Sequence, residues 1–188
     1  MSSPSGLRGM WVLVFTVIVV ILDQITKLAI KDHFLLHESI EIFGDYLRFT
    51  YIHNPGMAFG IRFGGPLFFT IFASIASGII LIYLYRMRDE RFHARFSLAL
   101  ILGGAIGNLI DRFAYGQVID FIDVGLRDTR WPVFNIADSA VTVGMIILVS
   151  LVLFEKEKND VPLPPKFPVQ EPAPSDEHDN WRDAQRKI

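Results

Sequence analysis

The sequence contains no cysteine, and its five histidines are scattered. The absence of cysteine excludes a disulfide, a thiolate metal site and a cysteine nucleophile. No histidine stands at the spacing of a metal site or of a Ser-His or His-Glu-x-x-His arrangement, so we expect no bound metal. The formal net charge is −2, whereas a protein that binds the phosphate backbone of a nucleic acid needs a strongly basic surface. We therefore expect no nucleic-acid partner. A hydrolase with this composition would have to use carboxyl groups.

Hydrophobic residues are abundant and come in blocks. They make up 51% of the 188 residues, whereas charged residues make up 20%. A helix needs about 20 residues to cross the hydrocarbon core of a bilayer. Four apolar blocks approach this length, at residues 10–30, 66–85, 96–110 and 136–154. Backbone groups in hydrocarbon must pair internally, which favours helices. We therefore predict an all-α membrane protein whose single domain, residues 10–154, has four transmembrane helices.

The first block also has the features of a signal-peptide hydrophobic region, since it follows Arg8. No small-x-small cleavage site comes after it, and the chain continues instead with Asp23, Gln24 and Lys27. We therefore predict that this helix is retained.

The segments between the blocks differ in composition. Residues 32–65 include a β-favouring run at 46–52 followed by glycine and proline, which predicts a small sheet outside the membrane. Residues 113–135 include an alternating stretch at 118–124, which we interpret as an amphipathic segment on the membrane surface. Residues 155–188 are rich in proline and charge and poor in aliphatic residues, which predicts a disordered tail.

The arginines indicate an orientation. Four spans place both termini on one side, together with the short loop that carries Arg86, Arg88, Arg91 and Arg95. Short loops rich in Lys and Arg stay in the cytoplasm. We therefore predict that residues 1–9 and 155–188 are cytoplasmic, and that loops 32–65 and 113–135 are extracytoplasmic.

This topology brings the polar residues to one depth, near the outer membrane boundary. An ionisable residue inside a membrane costs about 2.5–3.5 kcal/mol and is by default a functional candidate. A cluster at one depth predicts a water-accessible pocket that opens outward. Its members are Asp23, Lys27, Asn54, Asn108, Asp111, Arg112, Asp120, Asp123, Asn135 and Asp138.

Asp120 and Asp138 are the predicted acid–base pair. Two adjacent carboxyl groups do not ionise together easily, so one keeps a proton while the other stays charged. The charged one can activate water, and the protonated one can polarise a carbonyl. The alternative is that Asp120 is a solvated loop residue and that Asp138 interacts with a helix dipole. Spacing alone does not separate these interpretations.

The other polar residues also have structural alternatives. Asn135 could orient Asp138 or cap the fourth helix, and both roles are compatible. Asp23 and Lys27, four residues apart, fit an intrahelical pair or a supporting role at the site. We favour a structural ion pair for Asp111, and for Arg112 a contact with substrate or a carboxylate. Asn54 and Gly56 lie in a turn that could close over a pocket.

Five stretches resemble the lipoprotein signal peptidase family, also called signal peptidase II, and occur in that family's order. They are Asp23-Gln-Ile-Thr-Lys27, Asn54-Pro-Gly-Met-Ala-Phe-Gly60, Gly103-Gly-Ala-Ile-Gly-Asn-Leu-Ile-Asp-Arg112, Val118-Ile-Asp-Phe121 and Phe134-Asn-Ile-Ala-Asp138. Five such stretches in order are highly specific. The chain departs from the family at Met57, where a smaller residue is common, and in its longer tail.

The resemblance implies a membrane aspartic peptidase of the bacterial cytoplasmic membrane. It implies a small extracytoplasmic β-cradle, an amphipathic segment over the site, and a catalytic pair formed by Asp120 and Asp138. Substrate-binding or supporting roles fall to Asp23, Lys27, Asn54, Gly56, Asn108, Asp111, Arg112 and Asn135. The implied substrate is a diacylglyceryl-modified prolipoprotein, cut just before its lipidated cysteine. No metal or organic cofactor is implied, and we expect a monomer in contact with membrane lipid.

Two other functions are alternatives at this point. A proton-coupled transporter would relay protons through carboxyl groups, but relays need polar groups across the whole bilayer, and the inner halves of these blocks are dry. A non-catalytic subunit of a membrane assembly would need no carboxyl pair at all.

Overall fold

The computed structural model describes residues 10–58, 61–62, 65–88 and 91–159, without the side chains of residues 57, 58, 61, 62 and 155–159. The predicted N-terminal segment 1–9 and residues 160–188 of the predicted tail lie outside the described residues. The side chain of Met57, on which the departure from the family depends, lies outside them as well.

Four long helices account for most of the described chain. After a 3-10 turn at Met10–Val12, α1 spans Leu13–His33, α2 spans Gly65–Arg86, α3 spans Phe92–Tyr115 and α4 spans Ile136–Asn159. All four are long and apolar enough to cross a membrane. The third helix is longer than its apolar block because its polar ends also fold into helix. The fourth continues five residues beyond the predicted boundary at Phe154.

The third helix lies at the centre of the bundle. Helix α3 packs against α1, α2 and α4. Of the residues in its most apolar stretch 61% are buried, compared with 6% in the corresponding stretch of α2. Two glycines permit this close packing. A Cβ atom at Gly103 would lie 2.8 Å from Cβ of Val19, and one at Gly104 would collide with the backbone oxygen of Ala137. Small residues thus bring α1 and α4 against the α3 backbone.

A small antiparallel sheet covers the end of the bundle where α1 and α3 finish and α2 and α4 begin. We call this the sheet end. Strands β1 (Ser39–Phe43), β2 (Leu47–Asn54), β5 (Val118–Leu126) and β6 (Thr129–Arg130) follow one another in the order β1-β2-β5-β6. A separate two-stranded hairpin joins β3 (Met57–Ala58) to β4 (Ile61–Arg62). The predicted sheet in the first long loop is confirmed by β1 and β2.

The prediction that residues 118–124 form an amphipathic surface segment is wrong. They belong to β5, which pairs with both β2 and β6. Ile119 and Phe121 are only 2% and 3% exposed, and they pack with Ile30 of α1 and Tyr51 of β2. The alternation of polar and apolar residues is the period of a β-strand. In this chain the strand lies inside the sheet, and its buried residues pack against α1 and β2.

Candidate active site

The two predicted catalytic carboxyl groups line one cavity at the sheet end. Asp120 lies on β5, and Asp138 lies in the first turn of α4. The cavity has a volume of about 600 Å³. Its other polar residues are Asn54, Arg112, Ser139 and Thr142, and its remaining lining consists of Gly56, Phe69, Trp131, Pro132, Val133, Phe134 and Val143. The lining is therefore partly apolar and partly polar, and both aspartates belong to the polar part.

Asp120 is almost completely buried, with 1% of its surface exposed. Its Oδ2 accepts a hydrogen bond from Asn54 Nδ2 at 2.9 Å, and its Oδ1 accepts one from Asn135 Nδ2 at 2.7 Å. Burial, and secondly the nearby charge of Asp138, raise the pKa of Asp120 from 3.8 to about 7, against the opposing effects of the two amide donors and of Lys27. Asp120 can therefore hold a proton close to neutral pH.

Asn135 connects the two carboxyl groups. Its Oδ1 accepts the backbone N–H of Asp138 at 2.9 Å, and Asp138 Oδ2 accepts the backbone N–H of Asn135 at 3.3 Å. This reciprocal pair is a capping box that begins α4. The Nδ2 atom of the same side chain bonds to Asp120, so the cap and the bridge use different atoms. The cap and the contact with Asp138, both considered from the sequence, therefore occur together, and the bond to Asp120 is a further contact that was not predicted.

Lys27 is the centre of a buried ion cluster. It is 1% exposed, and its Nζ lies 2.8 Å from Asp23 Oδ2, 2.9 Å from Asp111 Oδ2 and 3.0 Å from Asn108 Oδ1. An ammonium group has three protons to donate, and here three acceptors surround it. Lys27 therefore pairs with Asp23 inside α1 and also reaches across to α3, so the intrahelical pair is only part of its role.

Asn108 connects Lys27 to the candidate active site by hydrogen bonds. Its Oδ1 accepts from Lys27 Nζ and, at 3.0 Å, from Asn135 Nδ2, which fixes the orientation of the amide. Its Nδ2 donates to Asp138 Oδ1 at 2.8 Å. Asp138 thus accepts one side-chain bond from α3 and one backbone bond at the start of its own helix. Both oxygens of Asp138 are therefore held by N–H donors.

The acidic residues of the cluster position the elements that carry the aspartates. Asp23 Oδ1 accepts the backbone N–H of Ala137 at 2.9 Å, next to Asp138 in the first turn of α4. Asp111 Oδ2 accepts the backbone N–H of Ile119 at 3.0 Å, next to Asp120 on β5. The ion pair of Asp111 is made with Lys27. The cluster therefore fixes both the helix and the strand of the predicted catalytic pair.

Asn54, Gly56 and Arg112 complete the polar rim of the cavity. Asn54 Oδ1 accepts the backbone N–H of Gly56 at 2.9 Å, which closes the turn after β2. Gly56 has a φ of 101°, and a Cβ atom there would collide with the ring of Phe69. Only glycine fits this position readily. Arg112 is half-buried, and its Nη1 donates to the backbone oxygen of Asn108 at 3.3 Å.

Several residues of the site were missed from the sequence. Gln24 donates to Asp111 Oδ1 at 3.0 Å and to Asp23 Oδ2 at 3.2 Å, and its position beside Asp23 was the available signal. The apolar wall formed by residues 131–134 precedes Asn135 directly, which was also a usable signal. Phe69 gave none, because it is one of many aromatic residues in an apolar helix. No group of three or more metal-binding side chains occurs within the described ranges.

Comparisons with a family model, with relatives of known name and with a solved structure give consistent matches. A family model described as Signal peptidase (SPase) II matches residues 15–154. The chain is 45% identical over 148 residues to the lipoprotein signal peptidase of Syntrophus aciditrophicus, covering 76% of this chain and 92% of that protein. It is 42% identical to the lipoprotein signal peptidase of Desulforapulum autotrophicum, covering 74% and 89%. A solved structure of a bacterial membrane enzyme, 32% identical, matches with a TM-score of 0.73 over 81% of this chain and 93% of that one.

Proposed function

The chain belongs to the signal peptidase II family, and we propose that it is an aspartic endopeptidase that removes the signal peptide from diacylglyceryl-modified prolipoproteins. The observation that carries this proposal is the pair Asp120 and Asp138 on one cavity wall. Their surroundings differ, since Asp120 is almost completely buried while Asp138 is only half-buried. Such a difference is what an acid and a base need in order to work together.

We assign the acid role to Asp120 and the base role to Asp138. The carboxylate of Asp138 takes a proton from a water molecule, whose oxygen attacks the carbonyl carbon of the scissile bond. Asp120 gives its proton to the carbonyl oxygen, and the tetrahedral intermediate then collapses as the C–N bond breaks. Asp138 gives the proton that it took from water to the leaving nitrogen, and Asp120 regains a proton from a hydroxyl group of the intermediate as the new carbonyl forms. The products are the carboxyl group of the released peptide and a free amine on the lipidated cysteine. No covalent enzyme intermediate forms.

The shape of the cavity suits a lipidated peptide. Phe69 of α2 and Val143 of α4 line the apolar side, whereas Asn54 and Arg112 line the polar side. Helices α2 and α4 also have the most exposed apolar surfaces, with Leu67 and Val152 at 71% and 61% exposed. We propose that the acyl chains leave the cavity along these lipid-facing surfaces, and that Arg112 and Asn54 contact the head region.

We propose an orientation from the arginine loop. The segment between α2 and α3 is placed in the cytoplasm with both termini, so the sheet end and the cavity lie near the extracytoplasmic face of the bacterial cytoplasmic membrane. Residues 10–154 then form the peptidase domain, with extracytoplasmic loops at about 32–65 and 113–135. The protein acts in this proposal as a monomer with no cofactor.

A transporter with a proton relay is not favoured by the distribution of buried charge. Within the described spans, Asp23, Lys27 and Asp111 lie near the sheet end, whereas Arg95 is the buried ionisable residue near the other end. No chain of carboxyl groups connects the two ends in the described part of the helices.

The test is cleavage of a synthetic diacylglyceryl lipobox peptide by the purified full-length protein. Mass spectrometry should detect two fragments separated at the bond before the lipidated cysteine, and the same peptide with an unmodified cysteine should be cut far more slowly. Asp138→Asn should abolish cleavage. Asp128→Asn, which changes an exposed aspartate in the β5–β6 turn, should have no effect. Absence of cleavage by folded wild-type protein would contradict the proposal.

A further inference from the structure

A buried arginine stands at the end of the bundle opposite the sheet. Arg95 lies in the first turn of α3 and is only 6% exposed. Its Nε and Nη2 atoms are enclosed and have no hydrogen-bond partner within the described ranges. Arg95 therefore differs from Lys27, the other buried cation among the described side chains, which has three acceptors.

In the part of the chain that the structure describes, no acidic side chain forms an ion pair with Arg95. Ala99 and Leu102 follow it at helical spacing on the same face of α3, and they form an apolar cluster with Val12 and Leu84. A guanidinium that leaves water without gaining an acceptor is strongly disfavoured. A negatively charged group from outside the described chain would remove this penalty.

Aromatic rings surround the same end of the bundle. Trp11 stacks on Phe92 with ring centroids 5.4 Å apart, and Phe15 meets Phe96 edge to face at 4.8 Å. Trp11 is nonetheless 52% exposed. Exposed tryptophan at the end of a transmembrane helix is typical of the membrane–water interface, where phospholipid phosphates lie. The available anion at this depth is therefore a lipid phosphate.

The charge around Arg95 selects among lipids. Arg86 ends α2, and Arg88 and Arg91 lie in the short connection from there to α3. The guanidinium of Arg88 lies 5.3 Å from the centre of the Tyr85 ring. Clustered arginines attract anionic headgroups and repel the choline of a zwitterionic one. We propose that Arg95 anchors a binding site for the phosphate of an anionic phospholipid, whose acyl chains lie against the exposed aromatic surface of Trp11 and Phe92.

The experiment compares full-length wild type with Arg95→Gln and Arg86→Gln. Arg86 is an exposed arginine at the end of α2, so its variant removes the same charge from the same end of the molecule. Each protein is placed in phosphatidylcholine nanodiscs with and without phosphatidylglycerol. Native mass spectrometry measures the affinity for phosphatidylglycerol, and the thermal midpoint measures the stability.

We expect Arg95→Gln to weaken phosphatidylglycerol binding by about tenfold or more, as loss of a hydrogen bond to a charged group does, and Arg86→Gln by less than about threefold. Phosphatidylglycerol should raise the thermal midpoint of the wild type but not that of Arg95→Gln. In phosphatidylcholine alone, Arg95→Gln should be as stable as the wild type or more so, because an uncompensated charge has been removed.

Three results would overturn the site. Equal weakening by both variants would show that only the general positive field matters. A loss of stability by Arg95→Gln in phosphatidylcholine alone would show that another part of the chain pairs with Arg95. Inorganic phosphate that stabilised the wild type in phosphatidylcholine as well as phosphatidylglycerol does would show an anion site without lipid specificity.

Discussion

The hydrogen bond from Asn108 to Asp138 can be removed without changing the wall of the cavity. Asn108 does not line the cavity, yet its Nδ2 lies 2.8 Å from Asp138 Oδ1 and its Oδ1 lies 3.0 Å from Lys27 Nζ. Leucine has the same branching and the same number of side-chain heavy atoms as asparagine, and it has no hydrogen-bonding group. Asn108→Leu therefore separates Asp138 from the ion cluster while leaving the substrate contacts in place.

The expected loss follows from the bonds that disappear. A hydrogen bond to a charged group contributes about 1.5–3 kcal/mol, and each 1.36 kcal/mol is tenfold in rate. If Asp138 needs this donor to keep its orientation as the base, kcat should fall by roughly 10- to 150-fold. KM should change by less than about threefold, because an interaction that substrate does not touch contributes little to its binding.

The assay is steady-state cleavage of the diacylglyceryl lipobox peptide, with Gln24→Leu as the matched control. Gln24 bonds to the same ion cluster through Asp23 and Asp111 but makes no bond to Asp120 or Asp138 in the described structure. Its variant should keep kcat within about threefold of the wild type. If kcat for Asn108→Leu is no lower than kcat for Gln24→Leu, Asp138 does not need the hydrogen bond from Asn108, and the proposed role of the connection from Lys27 through Asn108 to Asp138 is refuted.

Four further outcomes are expected. Because Asp120 keeps its proton up to a pKa of about 7, kcat should fall as the pH rises through that value. Asn54→Ala removes a hydrogen-bond donor that stabilises the charged form of Asp120, so the pKa of Asp120 should rise. The fall of kcat with pH should then occur at a higher pH than in the wild type, and an unchanged pH profile would contradict the assignment of Asp120 as the acid. Above pH about 7, Asp120→Asn should raise the thermal midpoint, because the wild-type folded state there holds a buried charge that the unfolded state exposes to water. The gain should shrink as the pH falls toward 3.8, the ordinary pKa of an aspartate. An equal gain at all pH values would indicate an effect of packing instead. Gly104→Ala, whose Cβ would collide with the Ala137 backbone, should lose about 1–3 kcal/mol of stability, whereas Gly78→Ala, with nothing within 4 Å, should lose none; equal thermal midpoints for the two variants would contradict the close packing of α3 and α4.

The helices and the convergence of polar residues were predictable because both depend on position along the chain. The length of an apolar block fixes a span, and alternating direction fixes which ends meet. Asp23 in α1, Asn108 in α3 and Asp138 in α4 were therefore placed at one end before any contact was known. The strand at 47–54 was predictable for a similar reason, since its β-branched and aromatic residues lie between turn residues.

The failures concern packing between segments distant in sequence. The strand that carries Asp120 was interpreted as a surface segment, because alternation does not say whether lipid or protein covers the apolar face. The bond from Asp23 to the N–H of Ala137 joins residues 114 positions apart, and no local pattern predicts such a bond. The dual use of Asn135 also required side-chain directions, since a cap and a bridge have the same sequence signature.

The most direct measurement is the cleavage rate of three aspartate variants made in the same background, each confirmed as folded by its thermal midpoint. Asp120→Asn and Asp138→Asn should each lose at least about a thousandfold in kcat, as removal of a paired acid or base does. Asp123→Asn is the matched control, because Asp123 lies on the same strand but bonds to Arg130 and Thr50, away from the cavity. Its rate should stay within about tenfold of the wild type. Retention of substantial rate by either of the first two variants, or equal loss in all three, would contradict catalysis by the Asp120–Asp138 pair.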